Sequence, residues 1–178
     1  MSHTAYHHCV RQLRAELSDS LTEITEQELA SRPNPDKWSV AEILEHLLLS
    51  YTGTIKACSR VQAAGKSLAT GVTWKQRLGQ WYVIRLGRMP EGRKAPKGVE
   101  PIGRFPATTL PELVLSTMDE LERTLMQCTT RFGDAKVIDH PVLGALSAAE
   151  FQKFHLIHGR HHIKQIAARR EMLRTNFR

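Results

Sequence analysis

Hydrophobic residues recur at three- and four-residue steps along most of the chain, which is the period of an amphipathic helix. The first stripe predicts a helix over about residues 4–30 and consists of Val10, Leu13, Leu17, Leu21 and Ile24. The stretch 31–36 contains two prolines and ends this helix, because the residue before a proline is disfavoured in the helical conformation.

A second helix is predicted to follow Ser39 and to end at Gly65. Ser39 can cap its first turn, and Glu42 three residues later completes a capping box. Its broad apolar face contains Val40, Ile43, Leu44, Leu47, Leu48, Tyr51 and Ile55. A shorter third helix is predicted over residues 73–88, with an inward face made of Trp74, Leu78, Trp81, Tyr82 and Leu86.

The second half of the chain predicts two more long helices. One spans about residues 109–131; Thr109, followed by Pro111 and Glu112, is its start signal, and Gly133 ends it. The other spans about 148–173 and is capped by Ser147 with Glu150. No strand pattern competes with these helices. The pattern therefore predicts an all-α fold, a four-helix bundle with an extra short helix and a long basic loop, formed as a single domain over residues 1–178.

Charge is concentrated in one part of the chain. The net charge is +7, and residues 65–104 alone hold nine Lys or Arg against two Asp or Glu. Residues 89–109 contain four prolines and predict a long irregular connection. We expect the basic insertion, residues 66–109, to contribute a helix docked on the bundle with solvated arginines. Its interleaved aromatic residues keep a nucleic-acid or anionic-surface binding module as the alternative.

The number of cysteines and the hydropathy of the chain indicate in which cellular compartment the protein is expected. The three cysteines, Cys9, Cys58 and Cys128, are odd in number and far apart, which argues against a disulfide framework and favours a reducing cytoplasm. No run of 18 apolar residues predicts a membrane span, and the first residues lack the apolar stretch of a signal peptide. We therefore expect a cytoplasmic protein without a membrane partner.

Four histidines crowd the last predicted helix, and one pair has the spacing of a chelate. His158 and His162 are one turn apart, about 40° around the helix, so both rings can reach one ion. His161 lies about 100° from His162, and His155 lies two turns from it. A third ligand must come from another helix. His46, in an apolar stretch of the second helix, is the candidate, and a core histidine is the alternative interpretation.

The remaining candidates have structural interpretations. His3, His7 and His8 stand at the chain start without a predicted partner. His140 precedes a proline in a turn, where we expect a structural role. Trp38 is expected to pack beneath the start of the second helix.

Two sequence elements occur together in a recognisable order. One is Trp38-Ser followed by His46, and the other is His158-x-x-x-His162-x-x-Gln165. Their order and spacing resemble the DinB-like superfamily, which includes the bacillithiol transferases. The resemblance covers nearly the whole chain except residues 66–109. Lys164 departs from the glycine that many members have before the glutamine, and the basic insertion departs from the compact family pattern.

The resemblance implies a four-helix bundle, a homodimer and a metal held by His46, His158 and His162. Three neutral imidazoles leave coordination positions open, as in catalytic sites, and they suit zinc, nickel and iron alike. The implied function is a metal-dependent enzyme, a thiol transferase or hydrolase acting on a small molecule such as a low-molecular-weight thiol. A non-catalytic metal-binding bundle is the alternative.

Two polar residues beside the predicted ligands are candidates for orienting them. Glu42, one turn before His46, is a candidate hydrogen-bond partner of that ring, with a capping or surface glutamate as the alternative. Gln165, three residues after His162, either lines the same cavity or caps a polar patch.

Overall fold

The computed structural model describes residues 8–176 except residues 91 and 93. It contains six helices: α1 (Cys9–Ser20), α2 (Glu26–Ala30), α3 (Val40–Ala64), α4 (Trp74–Gln80), α5 (Leu110–Phe132) and α6 (Ala148–Asn176). Helices α1, α3, α5 and α6 form a bundle around one hydrophobic core. The predicted all-α bundle is confirmed.

The prediction of one continuous helix at the start of the chain is wrong, because the structure has two helices there. Helix α1 ends at Ser20, and Glu23 adopts a left-handed conformation with φ 53° that no helix continues through. Thr25 then starts α2, since its side chain accepts from the Glu28 amide and the Glu28 side chain accepts from the Thr25 amide. The predicted residues 4–7 lie outside the described part of the chain.

The predicted boundaries of α3 are confirmed. Ser39 and Glu42 form the reciprocal capping box, with a Ser39 amide to Glu42 carboxylate distance of 2.8 Å. Gly65 ends the helix in the left-handed conformation, φ 66°, which glycine adopts without a steric penalty. Local sequence therefore fixes where the helix that carries His46 begins and ends.

The third predicted helix exists, but the prediction of which side chains face inward is wrong. Helix α4 continues as a π-helical turn, Trp81–Arg85. The predicted inward residues Trp74, Leu78, Trp81, Tyr82 and Leu86 are all exposed, and Val83 and Ile84 are buried in their place. The connection that follows is irregular, as predicted, with two 3-10 turns at Lys97–Val99 and Ala107–Thr109.

Two short strands flank the turn before the last helix, where the sequence predicts none. Strand β1 (Ile138–His140) pairs antiparallel with β2 (Gly144–Leu146). Three residues per strand are too few to produce a readable alternation. Ser147 then caps α6 with Glu150 as predicted, because the Ser147 amide donates to the Glu150 carboxylate at 2.8 Å.

The bundle packs α3 against α5 and α1 against α6. None of the helices in the described part of the chain is long and apolar enough to cross a membrane.

Helices α1 and α6 approach each other closely at Gly159. An alanine Cβ built at this position would lie 2.4 Å from Cδ2 of Leu13, a side chain with no exposed surface. The fully buried Leu13 would have to shift within the packed core to admit a methyl group, so the hydrogen side chain of glycine favours this close approach. Gly159 follows His158 directly, and the close approach therefore sets the position of the α6 histidines.

We predict that Gly159→Ala destabilises the protein by about 1–3 kcal/mol, because the added methyl overpacks the α1–α6 contact. Gly53→Ala is the matched control, since Gly53 lies inside α3 and an alanine Cβ there would meet no atom within 4 Å. That control should gain about 0.5–1 kcal/mol from helix propensity. Urea unfolding of both variants measures the difference, and equal shifts would contradict the close approach.

Candidate metal centre

Three histidine rings meet between α3 and α6 in the interior of the bundle. The Nε2 atoms of His46 and His158 are 3.1 Å apart, and those of His158 and His162 are 3.0 Å apart. Each of the three residues is only 5–6% exposed. A zinc ion binds imidazole nitrogen at about 2.0–2.1 Å, so neighbouring ligand atoms are expected roughly 3–3.5 Å apart. The observed distances suit a single ion.

The hydrogen-bond partners of two rings fix their tautomers. The Nδ1 of His46 lies 2.8 Å from the Val99 carbonyl oxygen, which can only accept, so Nδ1 carries the proton. The Nδ1 of His162 lies 2.9 Å from Oε1 of Gln165 and donates to it. Both rings, when neutral, therefore present an unprotonated Nε2 toward His158.

His158 cannot satisfy both of these lone pairs. Its Nε2 holds at most one proton, and its Nδ1 is buried without a hydrogen-bond partner. Two unprotonated nitrogens, from His46 and His162, thus converge on a site where a third nitrogen supplies one proton at most. Converging lone pairs in a buried site are complementary to a cation.

Burial keeps all three rings neutral at physiological pH. It lowers the pKa of His46, lowers that of His158 well below its usual value, and lowers the pKa of His162 to about 3. Neutral imidazole is the form that binds a metal ion. The donor set therefore needs no deprotonation before binding.

Residues 99–104 of the basic insertion lie against α3 beside this site, and we call this segment the roof. The buried carboxylate of Glu45 accepts hydrogen bonds from the backbone amides of Gly103 and Arg104, at 2.8 and 3.1 Å, and from that of Ile102 at 3.4 Å. These bonds hold the segment whose Val99 carbonyl orients the ring of His46. Glu45 is thus a positioning residue that acts through the backbone.

Glu42 is not the hydrogen-bond partner of the His46 ring, so that prediction is wrong. Its carboxylate is occupied by the Ser39 amide and by the guanidinium of Arg32. The alternative interpretation, a capping glutamate, describes what the structure shows. The predicted role beside the His46 ring is filled by Val99. Gln165, for which the sequence left two interpretations, accepts a hydrogen bond from Nδ1 of His162.

The other histidines do not join the cluster, although His161 shares the partner Gln165 with His162. Nε2 of His155 lies 3.0 Å from the hydroxyl of Thr54, and Nδ1 of His140 accepts from the amides of Val142 and Leu143 at 3.1 Å each. His161 lies beside the Gln165 amide. Of the N-terminal group, His8 is exposed, and His3 and His7 lie outside the described residues.

Sequence reasoning missed both Glu45 and Val99. A charged residue on the buried face of α3, next to a candidate ligand, is a signal that could have singled out Glu45. Its partners are backbone amides almost sixty residues away, and no residue type marks them.

One comparison with known proteins gives a match. The family model described as the DinB superfamily matches residues 10–166, a span that contains all three clustered histidines. The comparisons with curated proteins and with solved structures give no match.

The buried histidines predict a pH dependence of the metal-free fold. Burial lowers the pKa of His140 to about 4 and those of His155 and His162 to about 3, from a usual 6.5. Below pH 6.5 the unfolded chain gains protons that the folded chain does not. Stability is therefore complete above pH 6.5 and falls as the pH drops toward 4.

We expect a loss of about 1 kcal/mol for each of these groups between pH 7.5 and 5.5. Urea unfolding in the presence of a chelator measures it. Carboxylates with lowered pKa, such as that of Glu16, contribute only at lower pH. His155→Asn removes one titrating group and should give a shallower slope, whereas a flat profile for the unaltered chain would contradict the burial of neutral rings.

Proposed function

This chain belongs to the DinB superfamily, and we propose that it binds one divalent zinc, nickel or iron ion through His46, His158 and His162 and acts as a metal-dependent enzyme. The proposed reaction is transfer of a thiol, or hydrolysis, on a small molecule. The proposed substrate is a low-molecular-weight thiol or another compound of similar size.

The observation that carries the proposal is the convergence of the three Nε2 atoms. Hydrogen bonds from Nδ1 to Val99 and Gln165 direct the lone pairs of two rings at the same point. A buried core histidine also needs a partner for its N–H, but it has no reason to share one point with the unprotonated Nε2 of a second ring. Outer hydrogen bonds of this kind are the usual companions of metal-bound imidazole.

The donor set suits a reactive site better than a closed structural one. Three neutral ligands leave further positions for water or substrate. When bound, a divalent ion of this type lowers the pKa of a coordinated water or thiol and so supplies a nucleophile near neutral pH. The protein contributes by fixing the three rings and by excluding bulk water, because the segment anchored by Glu45 covers the site. The burial of the ligands favours a small substrate over a macromolecule.

Oligomeric state and compartment complete the proposal. We propose a homodimer, on the strength of the family resemblance. A reducing cytoplasm is supported by three buried, free cysteines, since an oxidising compartment favours disulfides.

Metal content tests the proposal. The protein, purified without a histidine tag, should hold about one equivalent of divalent metal by mass spectrometry. The double variant His158→Ala/His162→Ala should lose it, and His8→Ala, which alters an exposed histidine, should keep it. Circular dichroism checks that each variant is folded. A metal content unchanged in the double variant would contradict the site.

Catalysis is tested separately on the metal-loaded protein. The loaded chain should accelerate displacement of halide from a small alkyl halide by a low-molecular-weight thiol, which forms a thioether and releases halide and a proton, or hydrolysis of a small amide, and the double variant should not. A chain that holds the ion at this site and accelerates neither reaction is the non-catalytic metal-binding bundle.

We predict that Glu45→Gln weakens zinc binding by about 10-fold or more, the usual effect of disturbing an outer partner of a ligand. The NH2 group of the glutamine is a donor and would face the backbone N–H donors of residues 102–104, so at least one of these hydrogen bonds is lost. The segment that carries Val99 is then held less firmly. Glu42→Gln is the matched control, because its carboxylate lies on the same helix and touches no ligand. Competition with a chromophoric chelator measures both affinities, and equal values would show that the roof does not position His46.

A further inference from the structure

The outward face of α4 and the π-helical turn carries five large hydrophobic side chains in contact with solvent. Their exposed fractions are 71% for Trp74, 60% for Leu78, 52% for Trp81, 36% for Tyr82 and 45% for Leu86. Clustered exposure of this kind marks an interaction surface, whereas single exposed hydrophobic residues do not. We call these five residues the aromatic face.

The π-helical turn keeps the aromatic face continuous. The Leu86 amide donates to the Trp81 carbonyl at 3.1 Å, five residues back. In an uninterrupted α-helix, Arg85 would stand about 20° from the line of Leu78 and Leu86 about 80° from it. The wider turn accommodates one extra residue, which brings Leu86 toward that line and moves Arg85 toward the side.

The inner face of the same segment is anchored. The side chain of Gln80 donates to the carbonyls of Leu143 and Ala145 at 2.8 and 3.0 Å. Val83 and Ile84 are buried in the core. The aromatic face is therefore held outward by contacts on the opposite side.

Positive charges border the aromatic face. Lys75, Arg77, Arg85 and Arg88 are all exposed, and residues 74–88 contain no acidic residue. Helical geometry puts Lys75 on one edge of the face and Arg77 and Arg85 on the other. An apolar face with Trp, Tyr and Leu and basic edges is the pattern of a helix that lies in a membrane interface.

We propose that the aromatic face docks the protein peripherally on an anionic phospholipid surface, with the hydrophobic side chains at the acyl boundary and the cations on the headgroups. This departs from the sequence-based expectation of no membrane partner, which rested on the lack of an apolar run long enough to span a membrane. It concerns a surface separate from the histidine cluster.

Charge and shape favour lipid over other partners. A second copy docked face to face would oppose two sets of four cations with no acidic residue between them, which is unfavourable. Single-stranded nucleic acid stacks its bases on aromatic rings, but here Leu78 and Leu86 interrupt the rings. Aliphatic side chains gain nothing from base stacking and gain free energy by leaving water for the acyl region.

Vesicle co-sedimentation of the full chain tests the proposal. Vesicles of phosphatidylcholine with about 30% phosphatidylglycerol should bind the protein at low salt, and binding should weaken at high salt. Pure phosphatidylcholine vesicles should bind it far less. Arg77→Gln/Arg85→Gln should lower the partition coefficient roughly 30-fold, at the usual contribution of each basic residue near such a surface.

Two matched controls distinguish binding through the aromatic face from binding through net charge or exposed apolar residues elsewhere on the protein. Lys56→Gln/Arg60→Gln removes two exposed charges from α3 and should leave binding nearly unchanged. Leu78→Ser/Trp81→Ser should lower binding by at least about tenfold, whereas Met126→Ser, an exposed apolar residue of α5, should not.

Three results would overturn the proposal. One is absence of binding to the anionic vesicles at low salt. Another is an equal loss of binding in the two charge variants. The third is a face that engages something else: single-stranded DNA bound when vesicles are not, or a dimer in analytical ultracentrifugation that Leu78→Ser/Trp81→Ser dissociates.

Discussion

Three imidazole nitrogens converge in the interior of the bundle, and at most one proton is available between them. In His46 and His162, an acceptor at Nδ1 keeps the proton on that nitrogen. The unprotonated Nε2 of each ring therefore directs its lone pair at the cluster. Burial keeps the rings neutral, since a charged imidazole loses its hydration there. The surrounding structure maintains this arrangement: Gly159 lets α6 approach α1, and Glu45 holds the roof against α3.

The basic insertion contributes to two different surfaces. Its C-terminal part, residues 97–104, closes over the histidines through backbone hydrogen bonds to Glu45. Its N-terminal part, α4 and the π-helical turn, packs Val83 and Ile84 inward and exposes the aromatic face. The same insertion therefore contributes both to the surroundings of the candidate metal site and to the exposed aromatic face.

Features encoded by neighbouring residues could be predicted from the sequence. The two predicted capping boxes, Ser39 with Glu42 and Ser147 with Glu150, are four-residue motifs, and the His158–His162 pair follows from helical spacing. His46 followed from the family resemblance, because an apolar context alone fits a core histidine equally well.

Features that depend on distant partners could not be predicted. The orientation of α4 is set by hydrogen bonds from Gln80 to the backbone carbonyls of Leu143 and Ala145. An amphipathic pattern alone does not show which face of a helix packs on the core. The break between α1 and α2 depends on the backbone conformation of one residue, Glu23. The hydrophobic period of the sequence continues across this residue and gives no sign of the break. Val99 acts through its carbonyl oxygen, which every residue possesses, so nothing in its identity indicates the contact with His46.

The X-ray absorption spectrum of the zinc-reconstituted protein tests the three-histidine site most directly, because it reports the ligands around the ion itself. We predict three imidazole nitrogens at about 2.0–2.1 Å and no sulfur, with the imidazole signal reduced in a His46→Ala variant. A sulfur shell, or an imidazole signal that His46→Ala leaves unchanged, would contradict this site.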